Sequence, residues 1–352
     1  MKNRPTNYPL ATGLLLLAGA LALEACKKDS PDTPAPVPTV VYAAGVEVNG
    51  AGKRVAKYWK NGASTLLTDG SRNASLAGIA TAGTDVYVAG IEANAANIDV
   101  VKVWKNGAAT AFSDGTRPAS ASGLVLAGAD VYVVGAEYMA NRLVARLWKN
   151  GTAAALSDPT RNAQAAAVAV VGTDVYVAGA ENNTNGRSVA KVWKNGTASL
   201  LSDGAKDAIA LGTAVAGADV YAVGYEAAAG NGYFAKVWKN GTATNLTDGV
   251  KDADAFAVAV AGPDVYVAGD EQNAAGKYVA RIWKNGTPTA LTDGSANASA
   301  RSVVVVGTDV YVSGYEANGA GKSVAKVWKN GTATALTDGT ADAIVFGLAL
   351  GF

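Results

Sequence analysis

The tetrapeptide Trp-Lys-Asn-Gly occurs seven times at a nearly constant interval, and this repetition constrains the fold more than any other feature. All tryptophans of the chain lie in it, at Trp59, Trp104, Trp148, Trp193, Trp238, Trp283 and Trp328. The intervals are 45 residues, except for one of 44. A period in the forties indicates that one supersecondary unit is repeated, and that each copy buries apolar surface against its neighbours.

Each unit divides at its turn residues into four short apolar runs, which we name strands A to D. In the copy at 255–294, we predict strand A at 256–261, B at 265–269, C at 278–284 and D at 287–292. Asn285-Gly286 follows strand C, and Asn-Gly is the strongest two-residue hairpin signal because a type I′ turn needs positive φ at both positions. Helical periodicity is absent, so the unit is predicted to be an antiparallel meander.

The strands are rich in Val and Ala on both faces, so each sheet must be covered on both sides. Blades of a propeller meet this requirement, with tryptophan filling the space between blades and the small-residue strand A nearest the axis. The repeats begin with a strand B at 40–45 and end with a strand A at 344–350, which predicts that both termini complete one blade.

Residues 40–352 therefore resemble seven-bladed β-propellers that close by sharing a blade between the chain ends. The predicted fold is all-β: a closed seven-bladed β-propeller of four-stranded antiparallel blades, one of them completed by both termini. The repeat has neither the Gly-His and Trp-Asp signature of WD40 repeats nor the paired glycines of kelch repeats. The resemblance therefore implies a fold and no particular activity.

The amino-terminal segment is predicted to be a targeting signal and not part of the folded structure. Lys2 and Arg4 precede an apolar run at 10–23, which is too short for a permanent membrane span and is typical of a signal peptide over residues 1–25. Leu23-Glu24-Ala25-Cys26 resembles the lipobox of bacterial lipoproteins, although Glu24 departs from the usual small or apolar residue. The alternative is a secretory signal followed by an incidental cysteine.

The lipobox resemblance implies that Cys26 is lipidated and that the protein is an outer-membrane lipoprotein of the bacterial envelope, periplasmic or surface-exposed. Residues 26–39 contain four prolines within eight residues and are predicted to be an extended tether. The lipid would then be the contact with the membrane.

Charge and composition exclude several classes of function. Lys and Arg total 30 against 29 acidic residues, so clustered basic charge for nucleic acid is not expected. The chain has no histidine, the side chain best suited to acid–base work near neutral pH and the commonest metal ligand. Its single cysteine excludes an intrachain disulfide. We expect a monomer with neither cofactor nor metal.

Two faces are predicted to differ in chemistry. The constant face carries the A–B and C–D turns with their repeated Gly-x-Asp and Lys-Asn-Gly motifs, whereas the variable face carries the B–C and D–A loops. Two acidic rings fall toward the variable face. Strand B ends in Glu47, Glu92, Glu137, Glu181, Glu226, Glu271 and Glu316. Strand D is predicted to end in Asp69, Asp114, Asp158, Asp203, Asp248, Asp293 and Asp338.

These carboxylates have two interpretations. Each Glu faces a base two residues before the tryptophan, and Asp often caps turns, so both rings can serve the fold alone. Alternatively, they form a surface that binds cations, amines or sugar hydroxyls. The acid clusters at 252–254 and 270–271 are too sparse for a calcium loop, which needs six or more oxygen ligands.

Five tyrosines outside the repeat pattern are candidates for ligand binding on the variable face, because an aromatic ring with a hydroxyl can stack on a sugar or anchor a partner. They are Tyr138, Tyr225, Tyr233, Tyr278 and Tyr315, and the adjoining candidates are Glu226 and Glu316. Ordinary strand-end packing is the alternative.

The leading function is a lipid-anchored, multivalent binding module for carbohydrate or a surface polymer, with a protein ligand next. A structural or protein-interaction scaffold is the alternative, and a polysaccharide-active enzyme is the third. Catalysis is not expected because it needs an asymmetric constellation, whereas these carboxylates repeat almost identically.

Overall fold

The computed structural model describes residues 40–230 and 232–351. The predicted signal peptide, lipidation site at Cys26 and tether lie outside these residues. Within the described part, no helix is long and apolar enough to pass through a membrane.

Twenty-eight strands make up the described chain, and they occupy the four positions of the repeat in turn. The A strands are β4 (Ala74–Ala82), β8 (Ala119–Ala127), β12 (Ala163–Val171), β16 (Ala208–Ala216), β20 (Ala253–Ala261), β24 (Ala298–Val306) and β28 (Ala343–Gly351). The B strands are β1 (Val40–Val48), β5 (Asp85–Ala93), β9 (Asp130–Met139), β13 (Asp174–Asn182), β17 (Asp219–Ala227), β21 (Asp264–Gln272) and β25 (Asp309–Ala317).

The C strands are β2 (Arg54–Lys60), β6 (Asp99–Lys105), β10 (Arg142–Lys149), β14 (Ser188–Lys194), β18 (Tyr233–Lys239), β22 (Tyr278–Lys284) and β26 (Ser323–Lys329). The D strands are β3 (Ala63–Leu66), β7 (Ala108–Ala111), β11 (Thr152–Ala155), β15 (Thr197–Leu200), β19 (Thr242–Asn245), β23 (Thr287–Ala290) and β27 (Thr332–Ala335).

Seven four-stranded antiparallel sheets form a closed ring, which confirms the predicted fold class. Blade 1 has the order β28-β1-β2-β3, and blades 2 to 7 each contain four consecutive strands from β4 to β27. Pairing runs from Val40 opposite Gly351 to Glu47 opposite Ala343, so the two ends of the repeat array share blade 1. The A strands contact one another around the ring, with β28 between β24 and β4, and this places strand A nearest the axis.

Strand D ends two residues earlier than the sequence predicts in the blade at 253–290, because a side-chain hydroxyl takes the place of one backbone partner of the ladder there. Leu291 N donates to the Ala280 carbonyl at 2.8 Å, and the Thr292 hydroxyl accepts a hydrogen bond from Ala280 N at 3.2 Å. The aspartates of the second acidic ring therefore follow strand D instead of ending it. Strands A and B are longer than predicted, while strand C has the predicted bounds.

Every A strand bulges at its fourth residue, where the register with strand B shifts by one. These bulge residues are Ala77, Ser122, Ala166, Leu211, Phe256, Arg301 and Phe346. The residue after each bulge is Gly, Ala or Ser, because neighbouring A strands approach closely there. A Cβ on Gly347 would lie 3.0 Å from the Gly78 Cα of the next blade.

The seven tryptophans lie between blades and are at most 2% exposed. Trp59 of blade 1, for example, packs in one cluster with Val304 and Tyr311 of blade 7. Burying about 200 Å² of indole surface corresponds to an upper estimate of about 5 kcal/mol per tryptophan. Tryptophan, which marks the repeat in the sequence, thus also packs adjacent blades against each other.

Candidate functional site

The polar side chains of the constant face mainly contact one another within their own blade. Lys105 Nζ lies 2.8 Å from the Asp85 carboxylate and 5.2 Å from the centre of the Tyr87 ring, and Asn106 Nδ2 donates to Asp85 at 2.7 Å. The hydrogen bond from Lys105 is the main reason that the pKa of Asp85 lies below its ordinary value. Blades 3 to 7 repeat this arrangement, while blade 1 has Val40 in place of the aspartate.

The strand-end glutamates form ion pairs in all seven blades. The pairs are Glu47–Lys57, Glu92–Lys102, Glu137–Arg146, Glu181–Lys191, Glu226–Lys236, Glu271–Arg281 and Glu316–Lys326. The candidates Glu226 and Glu316 belong to this set, and their side chains are 21% and 19% exposed. These carboxylates therefore balance a neighbouring base within their own blade.

The aspartates that follow strand D cap the next turn. Asp114 Oδ1 accepts hydrogen bonds from the Thr116 backbone N and hydroxyl, both at 2.8 Å, and these bonds hold its pKa below the ordinary value. The equivalent backbone bond occurs in each of the other six blades. Both acidic rings thus have the fold-supporting roles of the first interpretation.

The B–C loops are less diverse in structure than in sequence. Asn94 Oδ1 accepts bonds from Ala96 N and Ile98 N, and Asn94 Nδ2 donates to the Gly115 carbonyl of the neighbouring D–A turn at 3.0 Å. Asn49, Asn183, Asn273 and Asn318 make the same bond to the D–A turn. The sequence interpretation overlooked this constant asparagine, although its place in five copies was a detectable signal.

Four of the five candidate tyrosines lie at the variable-face end of three consecutive blades, 5 to 7. Tyr225 and Tyr233 of blade 5 form an edge-to-face pair with ring centres 5.2 Å apart. The Tyr278 hydroxyl of blade 6 donates to Asp252 at 3.3 Å. Tyr315 of blade 7 lies beside Arg301.

Tyr138 is placed apart, in blade 3, and is 43% exposed. It lines an open cleft of about 350 Å³ together with Leu143, Pro118 and Asp99. Burial raises the pKa of the Asp99 carboxyl. The structure therefore separates this candidate from the other four.

Blades 6 and 7 carry the most pronounced departure from sevenfold repetition near the axis. Asp254 and Arg301 are the only ionisable residues on the seven A strands. Asp254 pairs in register with Asp270 of β21, and these residues are 5% and 4% exposed. The Arg301 guanidinium carbon lies 4.0 Å from the centre of the Phe256 ring and 5.9 Å from that of Tyr315. We name Asp254, Phe256, Asp270, Arg301 and Tyr315 the axial cluster.

The axial cluster continues into blade 5 through apolar packing. Phe256 packs with the bulge residues Leu211 and Ala166, and Tyr225 lies against the same group. The sequence interpretation noted the acids but missed Arg301, which stands inside an apolar strand. Its signal was indirect, because the bulge position varies more between copies than its neighbours do. Across 40–230 and 232–351, no three acidic side chains form a group that could hold a metal ion.

Comparisons with known proteins identify the architecture. No protein-family model matches this chain, and no curated protein does. The β-propeller domain of the Trilobed protease from Pyrococcus furiosus is similar with a TM-score of 0.55 and 10% identity, over 88% of this chain and 98% of that one. The acylaminoacyl peptidase of Pyrococcus horikoshii is similar with a TM-score of 0.53 and 11% identity, over 87% of this chain.

The chain spans about half, 52%, of the length of that acylaminoacyl peptidase and of a puromycin-hydrolysing peptidase from Mycobacterium tuberculosis. The latter has a TM-score of 0.53 and 11% identity over 86% of this chain. Similarity at these identities establishes the propeller fold alone.

Proposed function

We propose that this protein is a non-catalytic binding module that takes a carbohydrate or surface polymer at the variable-face end of blades 5 to 7. One observation carries the proposal: four of the five candidate tyrosines, and both ionisable residues of the A strands, lie in three adjacent blades. A propeller that served only as a spacer would have no physical need for such asymmetry at one end.

The chemistry of these residues suits a polyhydroxylated ligand. Tyr225 and Tyr315 are half-buried aromatic rings with hydroxyl groups, and Arg301 supplies hydrogen-bond donors next to Phe256 and Tyr315. Aromatic rings bury large apolar area with few rotatable bonds, so they bind a sugar face at low entropic cost.

The proposal assigns one asymmetric site per molecule instead of seven equal ones, because the repeated glutamates and aspartates are engaged in ion pairs and turns. Lipidation at Cys26, which we propose from the lipobox resemblance, would array many copies on the envelope. Modest affinity at each site then becomes useful avidity for a polymer.

A scaffold is the second candidate function, and the internal ion pairs of all seven blades favour it. These pairs support a uniform ring that needs no ligand. The two functions differ in whether the purified protein binds any glycan.

Glycan-array binding of the purified protein tests the proposal, with Tyr225→Ala/Tyr315→Ala as the test variant and Tyr138→Ala as the matched control. Each lost aromatic contact is worth about 0.5–1.5 kcal/mol, so we expect affinity to fall roughly 5- to 140-fold in the double variant. The control should bind as the wild type does. A wild-type protein that binds no glycan would favour the scaffold, and polysaccharide cleavage abolished by Asp254→Asn would favour an enzyme.

A further inference from the structure

Arg301 is the one basic residue on the seven A strands, and its surroundings hold its guanidinium in a defined plane. The guanidinium lies against the Phe256 ring at 4.0 Å and near Tyr315 at 5.9 Å. A guanidinium stacked in this way is restricted on its faces and offers its hydrogen-bond donors along its edge. The geometry is therefore that of a positioned donor and not of a freely moving surface arginine.

Arg301 Nε is buried and has no hydrogen-bond partner among the described residues. A buried N–H without an acceptor is unfavourable. Because Nε is closed to solvent while the side chain as a whole is half-buried, a ligand would approach the solvent-facing part of the guanidinium. The equivalent bases on the C strands of blades 5 to 7 are committed elsewhere, because Lys236, Arg281 and Lys326 are paired with Glu226, Glu271 and Glu316. Arg301 is thus the cation available at the axial end of blades 5 to 7.

We infer that Arg301 binds a carboxylate of the ligand, so that the ligand class is an acidic, uronate-containing polysaccharide. This inference rests on the proposed function and names its substrate class. A carboxylate has two oxygens in one plane and matches the edge of a guanidinium in a bidentate, charge-assisted arrangement. The rings of Tyr315 and Tyr225 would contact the sugar that carries it.

The two buried aspartates of the axial cluster are closed to direct contact with a ligand. Asp254 and Asp270 are 5% and 4% exposed, whereas Arg301 is half-buried. An incoming chain therefore meets the Arg301 guanidinium and the Tyr315 ring. A carboxylate gains from both the positive charge and the defined orientation of Arg301, whereas a neutral hydroxyl group would not benefit from the charge to the same extent.

Calorimetric titration of the purified protein tests the inference, with polygalacturonate, alginate and carboxyl-reduced polygalacturonate as probes. The titrations are run in 150 mM salt, where the Debye length is about 8 Å and attraction between distant charges is screened. We expect the wild type to prefer polygalacturonate over its reduced form by about tenfold or more. Arg301→Gln should remove this preference and keep the binding of the reduced polymer. Arg301→Lys should keep only part of the preference, because lysine has no bidentate edge.

The outcomes separate this inference from the proposed function. Equal wild-type affinity for both forms of the polymer overturns the role of Arg301 while the binding module stands. Binding of no polysaccharide overturns both. Arg301→Gln could instead keep the preference for the acidic polymer and have a lowered melting temperature. If adding Asp254→Asn/Asp270→Asn to that variant restores the melting temperature, Arg301 serves only as a counter-charge to these aspartates. Binding of a peptide with a free terminal carboxylate, but of no uronate polymer, also overturns it.

Discussion

Substituting alanine for Gly45 tests whether the seam between the chain ends sets the stability of the ring. Gly45 lies on β1, opposite Val345 of β28 and beside the bulge at Phe346. A Cβ at this position would stand 2.0 Å from the carbonyl oxygen of Ile344 and 2.9 Å from the Val345 Cα. The obstructing atoms belong to backbone, so no side chain can rotate to make room.

The magnitude follows from the displacement that this contact requires. An ordinary Cβ contact needs roughly 3.4 Å, so β28 must move about 1.4 Å away from β1, which disrupts several hydrogen bonds of the seam. Overpacking usually costs about 1–3 kcal/mol, and a backbone obstruction places this variant at the upper end, near 3 kcal/mol. At roughly 2 °C per kcal/mol for a large domain, the melting temperature should fall by about 6 °C.

Differential scanning calorimetry and hydrogen exchange provide the assay. We expect faster amide exchange to be concentrated in β28 of Gly45→Ala. Gly224→Ala supplies a comparison, since its Cβ would stand 1.9 Å from the Ile209 carbonyl oxygen in a blade made of consecutive strands. Gly319→Ala is the matched control because nothing lies within 4 Å of its added Cβ. A melting temperature for Gly45→Ala within 1 °C of the wild type would refute the reasoning (1 °C is roughly 0.5 kcal/mol).

Four further predictions concern individual side chains. Trp238→Ala should lower the free energy of unfolding by about 3–5 kcal/mol in urea titration, and a loss below about 1 kcal/mol would contradict its packing role. Asn94→Ala removes the bond that joins the B–C loop to the D–A turn, and urea titration should show a loss of about 1–3 kcal/mol. Acidification should also destabilise the protein, because the hydrogen bond from Lys105 lowers the folded-state pKa of Asp85. The stabilisation that Asp85 provides is present above about pH 4 and is lost as the pH falls through the folded-state pKa. The acid-induced fall in melting temperature should be smaller in Asp85→Asn. Asp99 has the opposite sign, since burial raises its pKa, so Asp99→Ser should raise the melting temperature at pH 7 but not at pH 3.

Much of the architecture was predictable because each copy carries strong local signals. Asn285-Gly286 adopts positive φ at both residues, as the predicted type I′ turn requires, and strand C has the predicted bounds. The end of strand D was not predictable in the same way. There the Thr292 hydroxyl replaces a backbone group as the partner of Ala280, and a threonine in an extended segment looks the same whether or not it does so.

The candidate site was only partly predictable. The departures of Tyr225, Tyr233, Tyr278 and Tyr315 from the repeat are visible by comparing copies. Arg301 was not recognised because its importance depends on a bulge, and a one-residue shift in pairing leaves no mark on composition or alternation.

The period, the turn motifs and the split repeat at the two ends determined a closed ring of seven sheets, because these are local or counting properties of the chain. Which side chains meet at the axis was decided by the packed blades. Phe256 and Arg301 are 45 residues apart in the chain, and they stack because the bulges of adjacent A strands bring them together. Strand register and the close approach of neighbouring sheets create that contact, and both exist only after the ring has closed.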